Sequence, residues 1–347
     1  MTRPCGVVLV LNRRRAVGPS PAVWPPQLMP VANRPLLDHA LGALRAAGVA
    51  EIVVVADSSS GSRVRGALTN SRSRSAVHVI DAPRSGGEVA ALDAARRMTG
   101  DAPLVVHRGD ALAGDLLSHE LPRFLAGQAD AAVLFLEPGL RQEDPSRHLS
   151  AWARHSRPEP LGIELLSSPM LDALCTLNRT GGGKRRLAGP LAQAGGSGWE
   201  VEQRVLTHGW RLHESAESVL DGNRFALEDL SADWHPDSLV RTRLEGRVAI
   251  HPSSRVEDSL LRGPCVIGAN ATIRHAYVGP YTAIGPGCVI ENAELEHSVI
   301  LQDATIRDVG WRLEHSVVGA RARVAREFRL PQAVHLCLGD DARISVS

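Results

Sequence analysis

The C-terminal part of the chain carries a repeat that restricts its fold more than any other feature. After residue 245, isoleucine or valine recurs six residues apart, with small residues, glycine and asparagine between them. The pairs are Ile250/Val256, Ile267/Ile273, Val278/Ile284/Ile290, Ile300/Ile306 and Val318/Val324. A period of six is typical of a left-handed parallel β-helix, in which these apolar side chains point into a narrow prism. The repeat therefore predicts such a β-helix over residues 246–326.

The coils of a β-helix leave flat faces and an open end, and such surfaces commonly pack against copies of the same chain. We therefore expect a homo-oligomer. The remaining residues, 327–347, are expected to form a C-terminal tail that caps the β-helix.

The N-terminal part alternates short apolar runs of β type with helical patterns. The predicted strands cover residues 6–11, 52–56, 77–80, 103–107 and 131–136, and the helical patterns cover 35–48, 87–98 and 215–230. This alternation indicates βαβ units and a mostly parallel sheet, which we assign to residues 1–235. Ser215 is the expected N-cap of the last helix. The polar or glycine-rich stretches 139–160 and 178–198 are interpreted as loops.

In parallel sheets of this kind, ligands bind beyond the carboxyl ends of the strands. That rule directs attention to the loops after Leu11, Ala56 and His107. A binding site in this part of the chain is therefore expected at that edge of the sheet.

Charge and composition exclude several classes of partner. Lys and Arg total 39 and Asp and Glu 38, and a net charge of +1 gives no reason to expect nucleic acid or a membrane surface as partner. No apolar run approaches the roughly 18 residues of a membrane-spanning helix. Five scattered cysteines without CxxC spacing suit buried thiols, so we expect a cytoplasmic protein. Lys184 is the only lysine, and arginine does not replace a compact ammonium group freely.

Four stretches of sequence together resemble one enzyme family. They are LMPVANRPLLDHALGALRAAGV, VVHRGDAL, GNRFAL and the six-residue repeat that starts at GRVAIHPSSRVEDSLL. In this order they resemble the long-form sugar-1-phosphate nucleotidyltransferases, and among these the glucose-1-phosphate thymidylyltransferases. The resemblance implies a Rossmann-like nucleotidyltransferase domain followed by a left-handed β-helix. It also implies a Mg²⁺-dependent reaction of a nucleoside triphosphate with a sugar 1-phosphate, which yields a nucleotide sugar and pyrophosphate.

The phosphate loop of that family departs from its glycine-rich pattern in this chain. The family reads G-G-x-G-T-R-L where this chain has Leu11, Asn12, Arg13, Arg14 and Arg15. The resemblance makes Leu11 and Asn12 nucleotide-binding positions. The three arginines are candidate catalytic groups if their guanidinium groups bind phosphate, and otherwise they form a solvated basic turn.

Other nucleotide positions are partly kept. Gly86 and Gly87, before the predicted helix 87–98, match the base-recognising region and are candidate nucleotide-binding residues. Pro26 stands where the family has a lysine that positions the substrate, and proline carries neither a charge nor an N–H donor. A nucleoside triphosphate or a nucleotide sugar therefore remains a candidate ligand.

The family holds Mg²⁺ with two aspartates, and one of them has a counterpart here. Asp110 is the candidate metal ligand, with capping of the following turn as the alternative role. The position of the partner aspartate falls on Leu212 or His213, neither of which is a carboxylate. A single carboxylate binds Mg²⁺ weakly, so the expectation of Mg²⁺ is weak.

The sugar site is also altered. Gly162 is the candidate sugar-binding residue that the resemblance leaves, whereas the lysine of the family's E-K-P motif has no counterpart in residues 147–166. An acidic family motif aligns with residues 182–189, where this chain has basic or neutral side chains. We interpret that stretch as a flexible basic loop.

Three functions compete on these observations. The first is a homologue that keeps the fold but is non-catalytic or regulatory, including in a hetero-oligomer with an active paralogue. The second is an active nucleotidyltransferase with an arginine-based phosphate site. The third is a hexapeptide acyltransferase that uses His275, His297 or His315 as base. Because losing one preorganised catalytic group costs on the order of 10²–10³ in rate, several losses together favour the first function.

Overall fold

The computed structural model describes residues 3–11, 25–69, 76–83, 87–137, 158–181, 186–213 and 215–326, with the backbone alone at 178–181. The predictions for Asn12, Arg13, Arg14, Arg15, Gly86, residues 182–185 and the tail 327–347 lie outside the described residues.

The N-terminal part alternates strands and helices as its sequence pattern predicts. In chain order its elements are β1 Cys5–Val10, β2 Pro30–Val31, β3 Arg34–Pro35, α1 Leu36–Ala46, β4 Glu51–Ala56, α2 Gly61–Thr69, β5 Val77–Asp81, α3 Glu88–Thr99, β6 Leu104–His107, β7 Ala111–Leu112, α4 Leu116–Ala126, β8 Ala131–Leu136, β9 Glu159–Leu166, α5 Ser168–Gly181, α6 Ala188–Gly195, β10 Val201–Leu206, β11 Trp210–Arg211 and α7 Ala216–Glu228.

Seven of these strands form one sheet in the order β10-β8-β9-β6-β1-β4-β5. Within this sheet β9 runs antiparallel to both of its neighbours, and the other pairings are parallel. The interior strand β1 is buried along its whole length, which explains its continuous run of valine and leucine. The sheet confirms the predicted Rossmann-like, mostly parallel architecture.

Helices cover both faces of this sheet. On one face, Leu41 of α1 and Leu121 of α4 belong to a buried cluster with β1 and β4. On the other face, Leu92 of α3, Leu171 of α5 and Leu191 of α6 belong to a second cluster. A parallel sheet needs cover of this kind because both of its faces are apolar.

The predicted loops are wrong in two places. Residues 178–181 end α5 and residues 188–195 form α6, and β9 begins at Glu159 within the other predicted loop. The stretch around α6 has few large apolar residues, yet Leu187 and Leu191 are buried in the second cluster and hold this helix against the sheet. Tertiary packing therefore overrides a weak local signal there.

The C-terminal part is a prism of three parallel sheets with short strands. In chain order these are β12 Leu239–Val240, β13 Arg243–Glu245, β14 Val248–Ile250, β15 Arg255–Glu257, β16 Leu260–Arg262, β17 Cys265–Ile267, β18 Thr272–Arg274, β19 Tyr277–Val278, β20 Thr282–Ile284, β21 Val289–Glu291, β22 Glu294–Glu296, β23 Val299–Ile300, β24 Thr305–Arg307, β25 Arg312–Glu314, β26 Val317–Val318 and β27 Arg323–Ala325. The sheets are β12-β15-β18-β21-β24-β27, β13-β16-β19-β22-β25 and β14-β17-β20-β23-β26.

Stacked isoleucines fill the prism. Ile250 pairs with Ile267, Ile267 pairs with Ile284, and Ile284 pairs with Ile300 in register. All four are buried in one core cluster of this part. The stacked parallel sheets have the arrangement expected of a left-handed β-helix.

One face of the prism, β14-β17-β20-β23-β26, is joined to the N-terminal part, and we call the contact the junction. Val299 of this face shares an apolar cluster with Val31, Leu36, Trp210 and Val219. The prism therefore packs against β2, the start of α1, β11 and α7.

Two asparagines extend the junction with hydrogen bonds. Asn33 Nδ2 donates to the carbonyl oxygen of Ile284 over 2.7 Å. The fully buried Asn223 of α7 accepts from the Ala32 N–H over 3.0 Å and donates to the Tyr281 carbonyl over 2.8 Å. These bonds hold the turn between β2 and β3 against the prism.

Among the helices in the described ranges, none is both long and apolar enough to cross a membrane.

Candidate active site

The carboxyl ends of β1, β4 and β6 meet at one edge of the sheet, as predicted. Val10 pairs with Ala56, and Val8 pairs with His107, the last residue of β6. The buried Gln27 lies beside this edge and donates from Nε2 to the carbonyl oxygen of Arg108 over 2.9 Å. The segment His107–Asp110 thus leaves the sheet where ligands bind in this fold class.

Asp110 is paired with an arginine. Its Oδ2 accepts from Arg211 Nη2 over 3.3 Å, and Arg211 also donates from Nη1 to the carbonyl oxygen of Pro160 over 2.7 Å. The second oxygen of Asp110, Oδ1, is buried and has no hydrogen-bond partner within the described ranges. One carboxylate beside a guanidinium is a poor ligand set for Mg²⁺, which prefers several oxygen ligands.

The positions proposed for a second carboxylate lie next to Asp110 and carry other groups. The Leu212 N–H donates to the Asp110 carbonyl over 2.8 Å, and the Leu212 side chain is buried in the junction cluster. His213 Nε2 lies 3.5 Å from Glu159 Oε2. Of the residues that the structure describes, no three His, Cys, Asp or Glu side chains form a group able to hold a metal ion. The described residues around Asp110 therefore do not fit a magnesium site.

A buried ion cluster lies on the α3 side of the same edge, and we call Glu88, Arg108 and Glu164 the triad. Arg108 donates to both oxygens of Glu88, from Nε over 3.2 Å and from Nη2 over 3.1 Å. Its Nη1 donates to Glu164 Oε1 over 2.5 Å. The Leu187 N–H donates to Glu88 Oε2 over 2.8 Å. The triad thus ties β6, α3, β9 and the start of α6 together.

Burial and charge set the protonation of the triad. Burial opposes the charge of Arg108, but Glu164 and Glu88 outweigh that effect and hold the pKa of Arg108 above its ordinary value. Burial raises the pKa of Glu164, although Arg108 acts in the opposite direction. Two carboxylates share one guanidinium, so the triad has an excess of negative charge when both are ionised.

Gly162, the predicted sugar-binding residue, lies in β9. It is next to the side chains of Arg108 and Asp110, which follow β6. Its φ of +84° is in the left-handed region, which favours glycine. A Cβ added there would lie 3.3 Å from Asp110 Oδ1 and 3.5 Å from Arg108 Cδ. The glycine therefore leaves room for Arg108 and Asp110, and its role toward a sugar stays a prediction.

The described nucleotide-binding candidates also lie at this edge. Leu11 directly follows β1 and packs against the second cluster. Gly87 is the N-cap residue of α3, which begins at Glu88, and no side chain caps this end of the helix. The structure thus places Leu11, Gly87, Asp110 and Gly162 at one edge, with the triad among them.

His107 is a buried neutral histidine beneath the site. The Gly109 N–H donates to its Nδ1 over 2.8 Å. Burial lowers the pKa of His107 to about 4, although Asp110 acts in the opposite direction. This imidazole is therefore uncharged at neutral pH.

The histidines proposed for acyl transfer lie at corners of the β-helix. His297 stacks on His315 with ring centroids 4.8 Å apart, and Tyr281 lies 4.9 Å from His297. His275 lies at another corner, with a φ of +47°. A base role for these three residues stays a prediction.

Sequence reasoning missed the triad and Arg211. A signal was present for two of the triad residues, because Glu164 is the single charge in the run LGIELL and Arg108 directly follows a buried strand. A lone charge in a buried strand requires a partner. Glu88 and Arg211 gave no such signal, since charged residues are ordinary at helix starts and on short strands.

Two family descriptions match successive parts of this chain. Residues 25–194 match the MobA-like NTP transferase domain, and residues 244–346 match the GMPPB C-terminal domain. The first match covers β2 to α6, which include Arg108, Asp110 and Gly162, and the second covers most of the β-helix.

Nearly full-length relatives are nucleotidyltransferases. A glucose-1-phosphate thymidylyltransferase of Streptomyces griseus is 28% identical over 92% of this chain and 93% of its own length. One of Streptomyces antibioticus is 25% identical over the same shares. The low-salt glycan biosynthesis nucleotidyltransferase Agl11 of Haloferax volcanii is 25% identical over 98% of this chain and 99% of its own length.

A solved structure supports the fold. The crystal structure of a putative glucose-1-phosphate thymidylyltransferase from Bacillus anthracis in complex with a sucrose matches 67% of this chain and 98% of its own chain. The TM-score is 0.51 at 17% sequence identity, so this likeness concerns the fold alone.

Proposed function

Because this chain belongs to the sugar-1-phosphate nucleotidyltransferase family, we propose that it is a homologue that retains the family fold without performing nucleotidyl transfer. In the reaction of the family, a phosphate oxygen of the sugar 1-phosphate attacks the α-phosphorus of a nucleoside triphosphate. Two anions must approach each other, so cationic groups and N–H donors must be available to their oxygens.

The pairing of Arg108 and Arg211 with carboxylates carries this proposal. Arg108 is held by Glu88 and Glu164, and Arg211 is held by Asp110. The positive charge of each guanidinium is therefore already balanced by at least one carboxylate. At Arg108 and Arg211, an incoming triphosphate therefore meets a carboxylate beside each guanidinium.

The surroundings of Asp110 support the same conclusion. A second carboxylate beside Asp110 would be needed for a firm Mg²⁺ site, and Leu212 and His213 follow Arg211 there. Loss of one preorganised electrostatic group costs on the order of 10²–10³ in rate. Several such losses leave the ordinary mechanism without its electrostatic support.

The retained scaffold indicates the role that we propose instead. The junction asparagines Asn33 and Asn223 hold the β-helix against the N-terminal part. A chain that keeps this architecture without its chemistry is suited to assembly, either with copies of itself or with an active paralogue. We propose that assembly is its function.

A pyrophosphate-release assay tests the loss of catalysis. Purified protein is incubated with Mg²⁺, each common nucleoside triphosphate and a panel of sugar 1-phosphates. We expect the wild type, Asp110→Ala and the surface control Asp308→Ala to release pyrophosphate at the same background rate. Turnover by the wild type and by Asp308→Ala that disappears in Asp110→Ala would show an active enzyme.

Light scattering coupled to gel filtration tests assembly. We expect the protein alone, or mixed with an active paralogue from the same source, to elute as a defined oligomer. A monomer under both conditions contradicts the assembly role and leaves the catalytic result unaffected.

A further inference from the structure

Arg108 directly follows β6, at the edge of the sheet where ligands bind in this fold class. Its guanidinium lies between Glu88 at the start of α3 and Glu164 of β9, which is opposite Val106 of β6. Gly162, below it, has no side chain, and the Arg108 stem lies across that space. The chain thus fills part of the binding edge with its own side chain.

The charges around Arg108 disfavour a phosphate group. The N-terminus of a helix ordinarily attracts anions because its backbone N–H groups are free. Here Glu88, the first residue of α3, places its own carboxylate at that end. Glu164 adds a second carboxylate, so a phosphate would meet two negative groups around one guanidinium that is already paired.

The triad is also difficult to displace. Glu88 is 3% exposed and Glu164 is 1% exposed, and both oxygens of Glu88 are bonded to Arg108. Glu88 further accepts the Leu187 N–H. A ligand that needs this space must break a buried ion pair, which leaves charges without partners in a poorly solvated place.

From this geometry we propose that Arg108, held by Glu88 and Glu164, is a built-in plug that excludes nucleotides from the cleft. It is a specificity-determining residue whose effect is to prevent the binding of nucleoside triphosphates and nucleotide sugars. This inference rests on the proposed function, since a homologue without nucleotidyl transfer does not need the cleft to open. Removing the plug is expected to raise nucleotide affinity at least tenfold.

The test compares wild type with an unplugged variant. Glu88→Gln/Arg108→Ala/Glu164→Gln removes the guanidinium together with both carboxylate charges, so that no unpaired charge stays buried. Isothermal titration is done with dTTP, ATP, GTP, CTP and UTP, each with and without Mg²⁺. We expect wild-type dissociation constants weaker than about 1 mM for all five and a variant that binds at least one of them at least tenfold more tightly.

A second buried arginine provides the matched control. Arg204 of β10 pairs with Glu120 over 3.0 Å and Glu202 over 2.6 Å, and its side chain is 6% exposed. Strands β8 and β9 separate β10 from β6 in the sheet. Glu120→Gln/Arg204→Ala/Glu202→Gln should therefore lower the melting temperature without changing nucleotide affinity.

Two outcomes overturn the plug. One is a wild type that binds a nucleotide as tightly as the folded unplugged variant does. The other outcome is measured by hydrogen exchange on the wild type, so it does not depend on whether the variant folds. Protection of residues 88–92 and 187–191 by excess nucleotide means that the cleft is open, whereas unchanged exchange supports the plug.

The plug and the proposed function fail in different ways. Pyrophosphate release by the wild type contradicts the proposed function. Nucleotide binding without pyrophosphate release contradicts the plug alone, because it leaves a non-catalytic homologue whose cleft accepts nucleotide.

Discussion

The backbone N–H of Leu212 donates to the carbonyl oxygen of Asp110 over 2.8 Å. This bond continues the antiparallel pairing of β7 and β11, in which Arg211 lies opposite Ala111. The pairing places residue 212 beside the candidate metal ligand and directs its leucine side chain into the junction cluster. Position 212 therefore contributes to packing.

Leu212→Asp tests this packing role. We expect a loss of unfolding free energy at least about 1 kcal/mol larger than that of Leu212→Ala, itself about 2–5 kcal/mol, because a carboxylate would be buried among apolar groups. Urea denaturation of the two variants measures the difference. If Mg²⁺ restored Leu212→Asp to wild-type stability, a metal site would be formed by residues 110 and 212, contrary to the packing role.

Arg108→Ala should destabilise the fold strongly, whereas Glu164→Gln should not. Removing the guanidinium leaves two buried carboxylates without a compensating positive charge, which costs about 3–5 kcal/mol. Glutamine at position 164 keeps an acceptor for Arg108 and removes the excess negative charge of the triad. Chemical denaturation at pH 8 measures both effects. A Glu164→Gln variant as unstable as Arg108→Ala would contradict the excess of negative charge in the triad.

The Glu164→Gln variant also has an expected pH dependence. Burial raises the pKa of Glu164 in the folded state above its unfolded value, so the carboxylate form lowers stability at high pH. As the pH falls through the folded pKa, wild-type Glu164 becomes protonated and this penalty disappears. The stability of the variant relative to wild type should therefore be greatest near pH 8 and decrease on acidification.

His107→Asn should reduce the acid sensitivity of the protein. The pKa of His107 is about 4 in the folded state and about 6.5 in the unfolded state. Its contribution to the free energy of unfolding is therefore complete above pH 6.5 and is lost as the pH falls toward 4. The difference corresponds to about 3 kcal/mol. Asparagine keeps an acceptor for the Gly109 N–H. We expect the free energy of unfolding in urea to decrease less between pH 7.5 and pH 4.5 for the variant than for the wild type. Equal decreases would contradict burial of a neutral imidazole.

Asn223→Ala should weaken the junction. The substitution leaves the Ala32 N–H and the Tyr281 carbonyl without their partner, at a cost of about 2–4 kcal/mol in total. Asn292→Gly is the control, because the Asn292 side chain makes one exposed bond to Asp308 and glycine tolerates the φ of +49° at this position. Thermal unfolding should show a large decrease in melting temperature for Asn223→Ala and little change for Asn292→Gly. Similar shifts for the two variants would argue against a special role of Asn223.

The architecture was largely predictable because its signals are repetitive. The valine-rich run of β1 and the isoleucines at positions 250, 267 and 284 each report a buried environment that recurs along the chain. Ser215 was predictable as an N-cap from its position, and the Ser218 N–H donates to its Oγ over 3.0 Å. These signals are local or periodic, and a single sequence contains them.

The site was less predictable because its contacts join distant residues. Glu88, Arg108 and Glu164 lie on different elements, and nothing in the spacing of their charges indicates that they meet. Family resemblance directed attention to Asp110, whose pairing with Arg211 depends on the approach of β11 to β7. Such pairings follow from tertiary structure, so the sequence predicted where the site lies but not how its charges are paired.

The junction has a consequence for how such chains can change in evolution. Near residue 245 the sequence pattern changes from alternating strands and helices to the six-residue repeat. This change suggests two exchangeable modules. Yet Asn33 of the first part hydrogen-bonds to the second, and Val299 of the second fills the same apolar cluster as Trp210 of the first. A recombination event that replaced the β-helix would expose Val31, Leu36 and Trp210 unless the incoming module had the same surface. The two parts are therefore expected to be inherited together. The start of the repeat is not a point at which evolution can exchange one part without the other.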